Sequence, residues 1–190
     1  MNRHYPGNDD ECSTYISYKD HRISSLQSIM SVEYEITNIV SIWNLGQRID
    51  LPENDYKGRK RFNGWIKKDG KKTCIAFASG KVTTTGFKSL ADVAVTIKIM
   101  FPDYDSFLEK IVSIAVKSFL PYQIDKRKFF NEPDIIYEPE LFPAALWYYN
   151  KICLMFFHTN SIVMNGLQRF SDIEIVLAAF MKRALPFKKV

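Results

Sequence analysis

Two pairs of phenylalanines in this chain share one spacing. Phe62 and Phe77 are fifteen positions apart, and Phe142 and Phe157 repeat that spacing eighty residues later. A fixed offset between matching patterns predicts two like halves related by a pseudo-twofold axis. A phenylalanine ring is flat and apolar, so it can stack on other flat groups. The repeated pairs therefore suggest a chemical role for these four rings.

Basic residues are concentrated around the first pair. The segment 57–88 contains ten basic residues and one acid, a net charge of +9, whereas the matching segment 137–168 has a net charge of −1. The formal net charge of the whole chain is only +5. A basic stripe of this density is typical of proteins with a phosphate-rich partner, although a solvated lysine face accounts for the composition equally well.

Composition argues against several other classes of protein. With 190 residues and 46% hydrophobic content, the chain can form one or two packed domains. It has no run of about eighteen apolar residues and no apolar leader, so we expect a soluble intracellular protein with no membrane partner. Three cysteines without a CxxC pair and three histidines predict neither a metal site nor a cofactor. The lack of catalytic side-chain sets and phosphate-binding glycine loops predicts no enzyme activity and no small-molecule substrate.

The predicted secondary structure also occurs twice, after a flexible polar arm at residues 1–30. The first set is a strand at 35–45, a hairpin of 62–68 and 71–79, a strand at 81–85 and a helix at 90–100. The second set is a strand at 110–117, a short helix at 119–131, a hairpin of 142–149 and 151–157, a strand at 161–165 and a helix that begins at Ser171. Asp69-Gly70 favours a type I′ turn in the first hairpin. This order predicts an α+β fold in which helices cover one face of an antiparallel sheet.

Three segments carry a resemblance to a known family. Residues 137–143 read YEPELFP, residues 79–86 read SGKVTTTG, and residues 38–46 read NIVSIWNLG. In this order and at the repeat offset, they resemble motifs of the TATA-box-binding protein family. The resemblance runs from about residue 31 to the C-terminus, at low overall similarity.

The resemblance implies a saddle, in which two pseudo-symmetric repeats form one curved antiparallel sheet of about ten strands with helices on its convex face. The flexible arm at 1–30 would precede repeat 1 at 31–106 and repeat 2 at 107–190. The concave face of such a saddle lies on the minor groove of AT-rich DNA, and phenylalanines kink the duplex by wedging between base steps, a mechanism for which this family is a standard example. On this template the intercalating residues are Phe62, Phe77, Phe142 and Phe157.

The same template implies the remaining DNA contacts. Hydrogen-bond donors and small apolar side chains face the groove floor, because A·T pairs present only acceptors there and a guanine amino group would clash with apolar groups. The implied groove residues are Asn38, Val40, Thr83, Thr85, Lys110, Val112, Val163 and Asn165. In this assignment Lys110 is the second-half counterpart of Asn38, and strand alternation groups it with Val112 and Ile114. The expected phosphate-binding residues are Arg59, Arg61, Lys67, Lys81 and Lys88.

The acidic segment before Phe142 is the expected site for a protein partner. The resemblance implies that Glu138, Glu140 and Leu141 bind a transcription factor IIB-like protein. It also implies that basic helices on the convex face receive a factor IIA-like protein. A loop that is acidic only for solubility is the simpler alternative.

The two repeats differ in charge where they match in pattern. Ser161 and Gln168 stand where the first repeat has Lys81 and Lys88. We therefore expect the first repeat to bind phosphates and the second to contribute wedges and partner contacts.

The expected function is that of a general transcription factor, which binds and bends AT-rich promoter DNA and recruits basal factors. It would act in the nucleus or, for a viral chain, in a cytoplasmic viral factory. The alternative is an adaptor of the same fold that binds transcription proteins without strong DNA bending. A bend assay on a TATA duplex distinguishes the two.

Overall fold

The structure, a computed structural model, describes residues 33–51 and 64–189. Its nine antiparallel strands form one curved, saddle-shaped sheet that both repeats share. The predicted α+β saddle is confirmed, with nine strands in the described residues where about ten were expected. The predicted arm at 1–30 and the predicted contacts Arg59, Arg61 and Phe62 lie outside the described residues.

The central strands of the sheet are the first strands of the two repeats. The strands are β1 (Tyr34–Asn44), β2 (Gly64–Asp69), β3 (Lys72–Phe77), β4 (Lys81–Phe87), β5 (Phe107–Phe119), β6 (Ile135–Ile136), β7 (Ala144–Tyr149), β8 (Ile152–Phe157) and β9 (Ser161–Leu167). The helices are α1 (Leu90–Met100), α2 (Lys126–Phe130) and α3 (Ser171–Ala184), followed by a 3₁₀ turn at Leu185–Phe187. Across the sheet the order is β2-β3-β4-β1-β5-β9-β8-β7-β6, so β1 and β5 are neighbours.

The first hairpin turns one residue later than the sequence predicts. Asp69 pairs with Lys72 in the ladder, so the turn residues are Gly70 and Lys71. Gly70 has a positive φ of +56° but Lys71 does not, so the turn is not type I′, which needs two such residues. Asn150 occupies the same position in the second hairpin, with a φ of +55°.

Each repeat packs a helix of its own on the convex face of the sheet. Helix α1 buries Val93 and Ile97, which are four residues apart and therefore lie on one helical face. Helix α3 buries Ile173, Val176, Leu177, Phe180, Met181 and Ala184. The convex side thus contains two apolar cores, and the concave side is left open. None of the described helices is long and apolar enough to cross a membrane.

Candidate nucleic-acid interface

The groove residues predicted for the first repeat share the open face of the sheet. In β1 and β4 every second side chain is buried in the core, namely Ile39, Ser41, Trp43, Val82 and Thr84. The side chains between them are half-buried, and they include Asn38, Val40, Thr83 and Thr85. Because successive residues of a strand point to opposite faces, these four side chains form one surface on the concave side.

The pairing of β1 with β5 defines a pseudo-twofold axis at the centre of this surface. Asn38 pairs with Ala115, and Val40 pairs with Ser113. An offset of 75 relates residue 38 to residue 113 and residue 40 to residue 115, so a twofold rotation exchanges the two pairs. The hairpins of the two repeats are instead related by an offset of 80 residues, because β2 begins at Gly64 and β7 begins at Ala144. The second repeat therefore has five more residues between its first strand and its hairpin.

This register corrects the expected counterparts in the second repeat. The counterpart of Asn38 is Ser113 and not Lys110, which pairs with Ile42. The counterpart of the next groove residue along β1 is Ala115. The sequence comparison was misleading because the same three residues, Ile-Val-Ser, follow both Asn38 and Lys110. The two central strands match at an offset of 75, at which the buried Ile39 and Ile114 correspond, and this offset differs from the 80 of the hairpins.

A β-bulge explains why alternation failed in β5. Ser113 pairs with Val40 and Ile111 with Ser41, so Val112 has no partner of its own. A bulge of this kind inserts one extra residue and shifts the following residues to the other face. Ile114 is consequently fully buried, and the expectation that it shares a face with Lys110 and Val112 is wrong. Val112 itself is 37% exposed.

The amide of Asn38 has a defined orientation on the open face. The backbone N–H of Gly86 donates to Asn38 Oδ1 at 2.7 Å. Asn38 Nδ2 lies 3.4 Å from Thr85 Oγ1, a long contact that leaves amide hydrogens available for other acceptors. Since Oδ1 is occupied, Asn38 presents a donor at the centre of the concave face, and A·T pairs present acceptors in the minor groove.

The second repeat carries a similar pair of polar groups in exchanged positions. The ladders place Thr85 opposite Thr73 and Asn165 opposite Cys153, so Asn165 is the counterpart of Thr85. The first repeat therefore has its amide on the central strand and its hydroxyl on the neighbouring strand. The second repeat has the hydroxyl of Ser113 on the central strand and an amide on the neighbouring strand. Val163 lies half-buried on the same face.

The predicted wedge residues of the second repeat lie side by side. The rings of Phe142 and Phe157 have centroids 6.2 Å apart at an interplanar angle of 63°. Phe142 is 40% exposed, and Phe157 is half-buried at the end of β8. Phe77 occupies the matching end of β3 in the first repeat. A partly exposed pair of rings at the end of an open sheet face has the geometry needed to stack on an opened base step.

Two of the predicted phosphate-binding lysines form ion pairs across the sheet. Lys81 Nζ lies 2.7 Å from Glu109 Oε1, and Lys88 Nζ contacts Glu35 Oε1. The hydrogen bond from each lysine lowers the pKa of its carboxyl partner, because it stabilises the charged form. Both lysines remain largely exposed on the open side of the sheet.

The predicted phosphate-binding residue Lys67 does not lie on the open face of the sheet. It pairs with the buried Cys74, and paired residues of a ladder point to the same face, so Lys67 lies on the convex side. There it lines a groove with Thr96 and Ile99 of helix α1. The adjacent Lys68 pairs with Thr73 and takes the open-face position instead.

The acidic loop, residues 132–142, presents the predicted partner-binding residues. Glu138, Glu140 and Leu141 are exposed, and Leu141 is 81% exposed. The backbone N–H groups of Leu141 and Phe142 both donate to Glu138 O, at 3.0 and 2.9 Å, which closes a turn just before the wedge residue. The loop therefore presents an exposed apolar side chain directly after two exposed acids.

An arginine of helix α3 ties this loop to the core. Arg183 donates to Asp134 Oδ1 and Oδ2 at 2.6 and 3.0 Å, and to Glu132 Oε2 at 2.6 Å. Trp147 Nε1 adds a hydrogen bond to Asp134 at 3.2 Å. The hydrogen bond from Arg183 is the main reason that the pKa of Asp134 lies below its usual value. This network fixes the start of the acidic loop.

The convex helix of the first repeat is not the basic helix that the resemblance implies. Helix α1 carries one acid, Asp92, and one base, Lys98. Its outward side instead exposes Val95 and Ile99. The described residues also contain no cluster of three or more potential metal-ligating side chains.

Comparisons with known proteins agree with this architecture. A family model described as transcription factor TFIID, or TATA-binding protein, matches residues 33–106. A TATA-box-binding protein of Acetabularia peniculus is 31% identical over 176 residues, which cover 78% of this chain and 92% of the relative. The chain belongs to the TATA-box-binding protein family. This is a family of DNA-binding transcription factors and not of enzymes.

Other members of the TATA-box-binding protein family are similarly distant. TATA-box-binding protein 1 of Triticum aestivum is 32% identical, over 77% of this chain and 74% of its own length. The solved structure of Methanococcus jannaschii TBP superimposes with a TM-score of 0.72 and is 22% identical, covering 81% of this chain and 99% of that chain. The family model covers only the first repeat, which is also the repeat that carries the SGKVTTTG and NIVSIWNLG motifs.

Proposed function

We propose that this protein binds the minor groove of TATA-like promoter DNA through its concave face, kinks the duplex by phenylalanine insertion, and recruits basal transcription factors. The observation that carries the proposal is the open face itself. Donors lie at its centre, on Asn38 and its neighbours, and a phenylalanine pair with one exposed and one half-buried ring lies at its end.

The chemistry of the open face suits A·T pairs. The minor groove of A·T pairs offers adenine N3 and thymine O2 as acceptors, which match the Asn38 amide, the Ser113 hydroxyl and the Asn165 amide. Small side chains such as Val40 and Ala115 would contact the groove floor, where a guanine amino group would clash. Pyrimidine–purine steps such as TA open most easily, so wedges at the ends of the site favour TATA-like sequences.

The acidic loop would supply the partner contact. Glu138, Glu140 and Leu141 are exposed beside the predicted wedge, and the Arg183 network anchors the loop that carries them. A basic, factor IIB-like surface is the complementary partner. A factor IIA-like partner would need to accept the apolar surface of α1. We place this function in the nucleus, since the family acts in transcription; the relatives named above come from cellular organisms and give no support to a viral factory.

A fluorescence bend assay tests the proposal. A duplex with a central TATA sequence and dyes at both ends is titrated with the protein at low salt. We expect the ends to approach each other, and we expect Phe142→Ala and Phe157→Ala to reduce both bending and affinity, because unstacking a base step without a wedge costs a few kcal/mol. Ile175→Ala, on the exposed side of α3, is the control and should bend DNA normally.

The outcomes distinguish the proposal from the adaptor alternative. Tight binding with bending only for the A·T duplex, and not for a duplex with G·C pairs in the core, supports the proposal. Absence of bending at low salt contradicts it and favours an adaptor that uses the acidic loop for protein partners alone.

A further inference from the structure

We propose that Glu35 and Glu109 are built-in competitors of DNA phosphates, which hold the open-face lysines and lower the affinity of the protein for any duplex. The inference rests on the proposed DNA binding and adds a device that limits it. Neither glutamate belongs to the three motifs that identify the family.

Glu109 forms the first cluster, at one edge of the open face. Its Oε1 accepts from Lys81 Nζ at 2.7 Å, and its Oε2 accepts from Asn44 Nδ2 at 3.3 Å. Lys110, the next residue, adds a second positive charge that also lowers the pKa of Glu109. The carboxylate therefore contacts one lysine of the open face, and a second lysine follows it in β5.

Glu35 forms the second cluster. Its Oε1 accepts a hydrogen bond from Lys88 Nζ, and in the ladder Glu35 pairs with Lys117. The charges of both lysines lower its pKa. Each glutamate thus forms one ion pair with a lysine of the first repeat and has a second lysine of β5 beside it.

The pseudo-twofold axis places these clusters at opposite edges. The offset of 75 residues relates Ile42 to Lys117 and Glu35 to Lys110. The pseudo-twofold rotation therefore moves the ladder pair Ile42–Lys110, next to Glu109, onto the ladder pair Glu35–Lys117. When a protein surface lies in a minor groove, one sugar–phosphate backbone runs along each of its two edges. Each backbone would therefore meet one Lys–Glu–Lys cluster.

Electrostatics explains why the carboxylates oppose binding. An exposed ion pair contributes little stability, so a phosphate can displace the glutamate from its lysine. The freed carboxylate then lies within a few ångströms of the phosphate, which repels it, or it recruits a cation from solution. Recruitment of a cation cancels part of the counterion release that drives DNA binding, so affinity and its salt dependence are both reduced.

The test compares Glu35→Gln, Glu109→Gln and the double variant with the wild type. Glutamine keeps the size and the acceptor oxygen but removes the charge. The control, Glu174→Gln, makes the same charge change on an exposed position of the convex helix α3. Affinity for the TATA duplex is measured over a series of salt concentrations, and elution from heparin provides a second polyanion that does not need the wedges.

We expect the double variant to bind the TATA duplex about tenfold more tightly at low salt, with a log–log salt slope steeper by up to about 0.9 for each lysine released. It should elute from heparin at higher salt than the control. A merely structural role for the ion pairs would lower thermal stability without steepening the slope.

The two proposals fail in different ways. A double variant that matches Glu174→Gln in heparin elution and salt slope overturns the competitor role. A wild type that does not bend TATA DNA, combined with a double variant that elutes later than the control, overturns the proposed function and leaves the electrostatic competition intact.

Discussion

The environment of Asn38 predicts the effect of a single change at the residue scale. Its Oδ1 atom already accepts from Gly86, so Asn38→Asp keeps that acceptor, removes the donor and adds a negative charge opposite the acceptors of the groove. We expect affinity for a TATA duplex to fall at least tenfold, since a lost hydrogen bond with an unpaired group costs about 1–3 kcal/mol. Fluorescence anisotropy at a fixed salt concentration measures the loss. Asn131→Asp, on the exposed end of α2, is the control, and an equal loss there would mean that net charge alone is responsible.

Ser113 and Lys110 provide a direct test of the register. If Ser113 is the counterpart of Asn38, Ser113→Ala should weaken binding to A·T pairs by about 0.5–1.5 kcal/mol and leave the salt slope unchanged. Lys110→Met should change mainly the salt slope. Discrimination between A·T and G·C duplexes is measured for both variants. The register would be contradicted if Lys110→Met lost the preference for A·T over G·C duplexes while Ser113→Ala kept it.

The groove residues of β1, β4 and β9 could be predicted at the residue scale, whereas the counterpart of Asn38 in β5 could not. Asn38 and Thr85 lie in strand segments where the predicted alternation holds, so a motif was enough to place them on one face. In β5 a bulge at Val112 reverses the alternation, and bulges have no reliable sequence signal. The repeated Ile-Val-Ser then suggested Lys110 in place of Ser113.

At the element scale, signals within a few residues predicted boundaries well. Helix α1 begins and ends where the spacing of its apolar residues predicts, because Ser89 Oγ accepts from the N–H of Ala91 and caps it. The turn between β8 and β9 survives the loss of glycine, since Asn160 adopts a φ of +65° where the first repeat has Gly80. The sequence did not predict β6, because two residues are too few to show the alternation that marks a strand.

The network of Arg183 should control the stability of the acidic loop. Arg183→Met keeps much of the side-chain volume but leaves the carboxylates of Asp134 and Glu132 without their shared partner. We expect the free energy of unfolding to fall by about 1–2 kcal/mol, less than for a buried pair because all three groups are partly exposed. Urea unfolding measures the change. Lys182→Met, on the exposed neighbouring residue, should have little effect, and equal effects would contradict the role of the network.

The same network predicts a pH dependence with a definite sign. The pKa of Asp134 is lowered in the folded state by its hydrogen bonds from Arg183, so the stabilisation is present above the ordinary pKa of an aspartate, near 3.8. It is lost as the pH falls through the lower folded pKa, where the carboxylate is protonated. The free energies of unfolding of wild type and Arg183→Met, measured with urea from neutral to acidic pH, should therefore become equal at the acidic end. A constant difference down to the lowest pH would show that packing, and not charge, is responsible.

At the scale of the whole molecule, charge follows the faces of the sheet more closely than it follows the sequence. The stripe 57–88 has a net charge of +9, yet its described lysines are divided between faces. Lys68, Lys81 and Lys88 lie on the open side, two of them neutralised by glutamates of the central strands, and Lys67 lies on the convex side. Sequence composition could predict the total charge but not this division, because the direction of each side chain depends on the register.

Lys67 and Lys68 are adjacent in sequence and lie on opposite faces, so they separate the effect of placement from that of net charge. If the concave face binds DNA, Lys68→Gln should flatten the log–log salt slope by up to about 0.9, the value for one lost phosphate contact, whereas Lys67→Gln should change it by much less. Lys151→Gln, in the exposed turn of the second hairpin, should also have little effect on the salt slope, because phosphate binding is assigned to the first repeat. Anisotropy titrations at several salt concentrations give the three slopes. Three equal slopes would mean that the protein attracts DNA through its overall charge, and the assignment of phosphate binding to the open face of the first repeat would then be wrong.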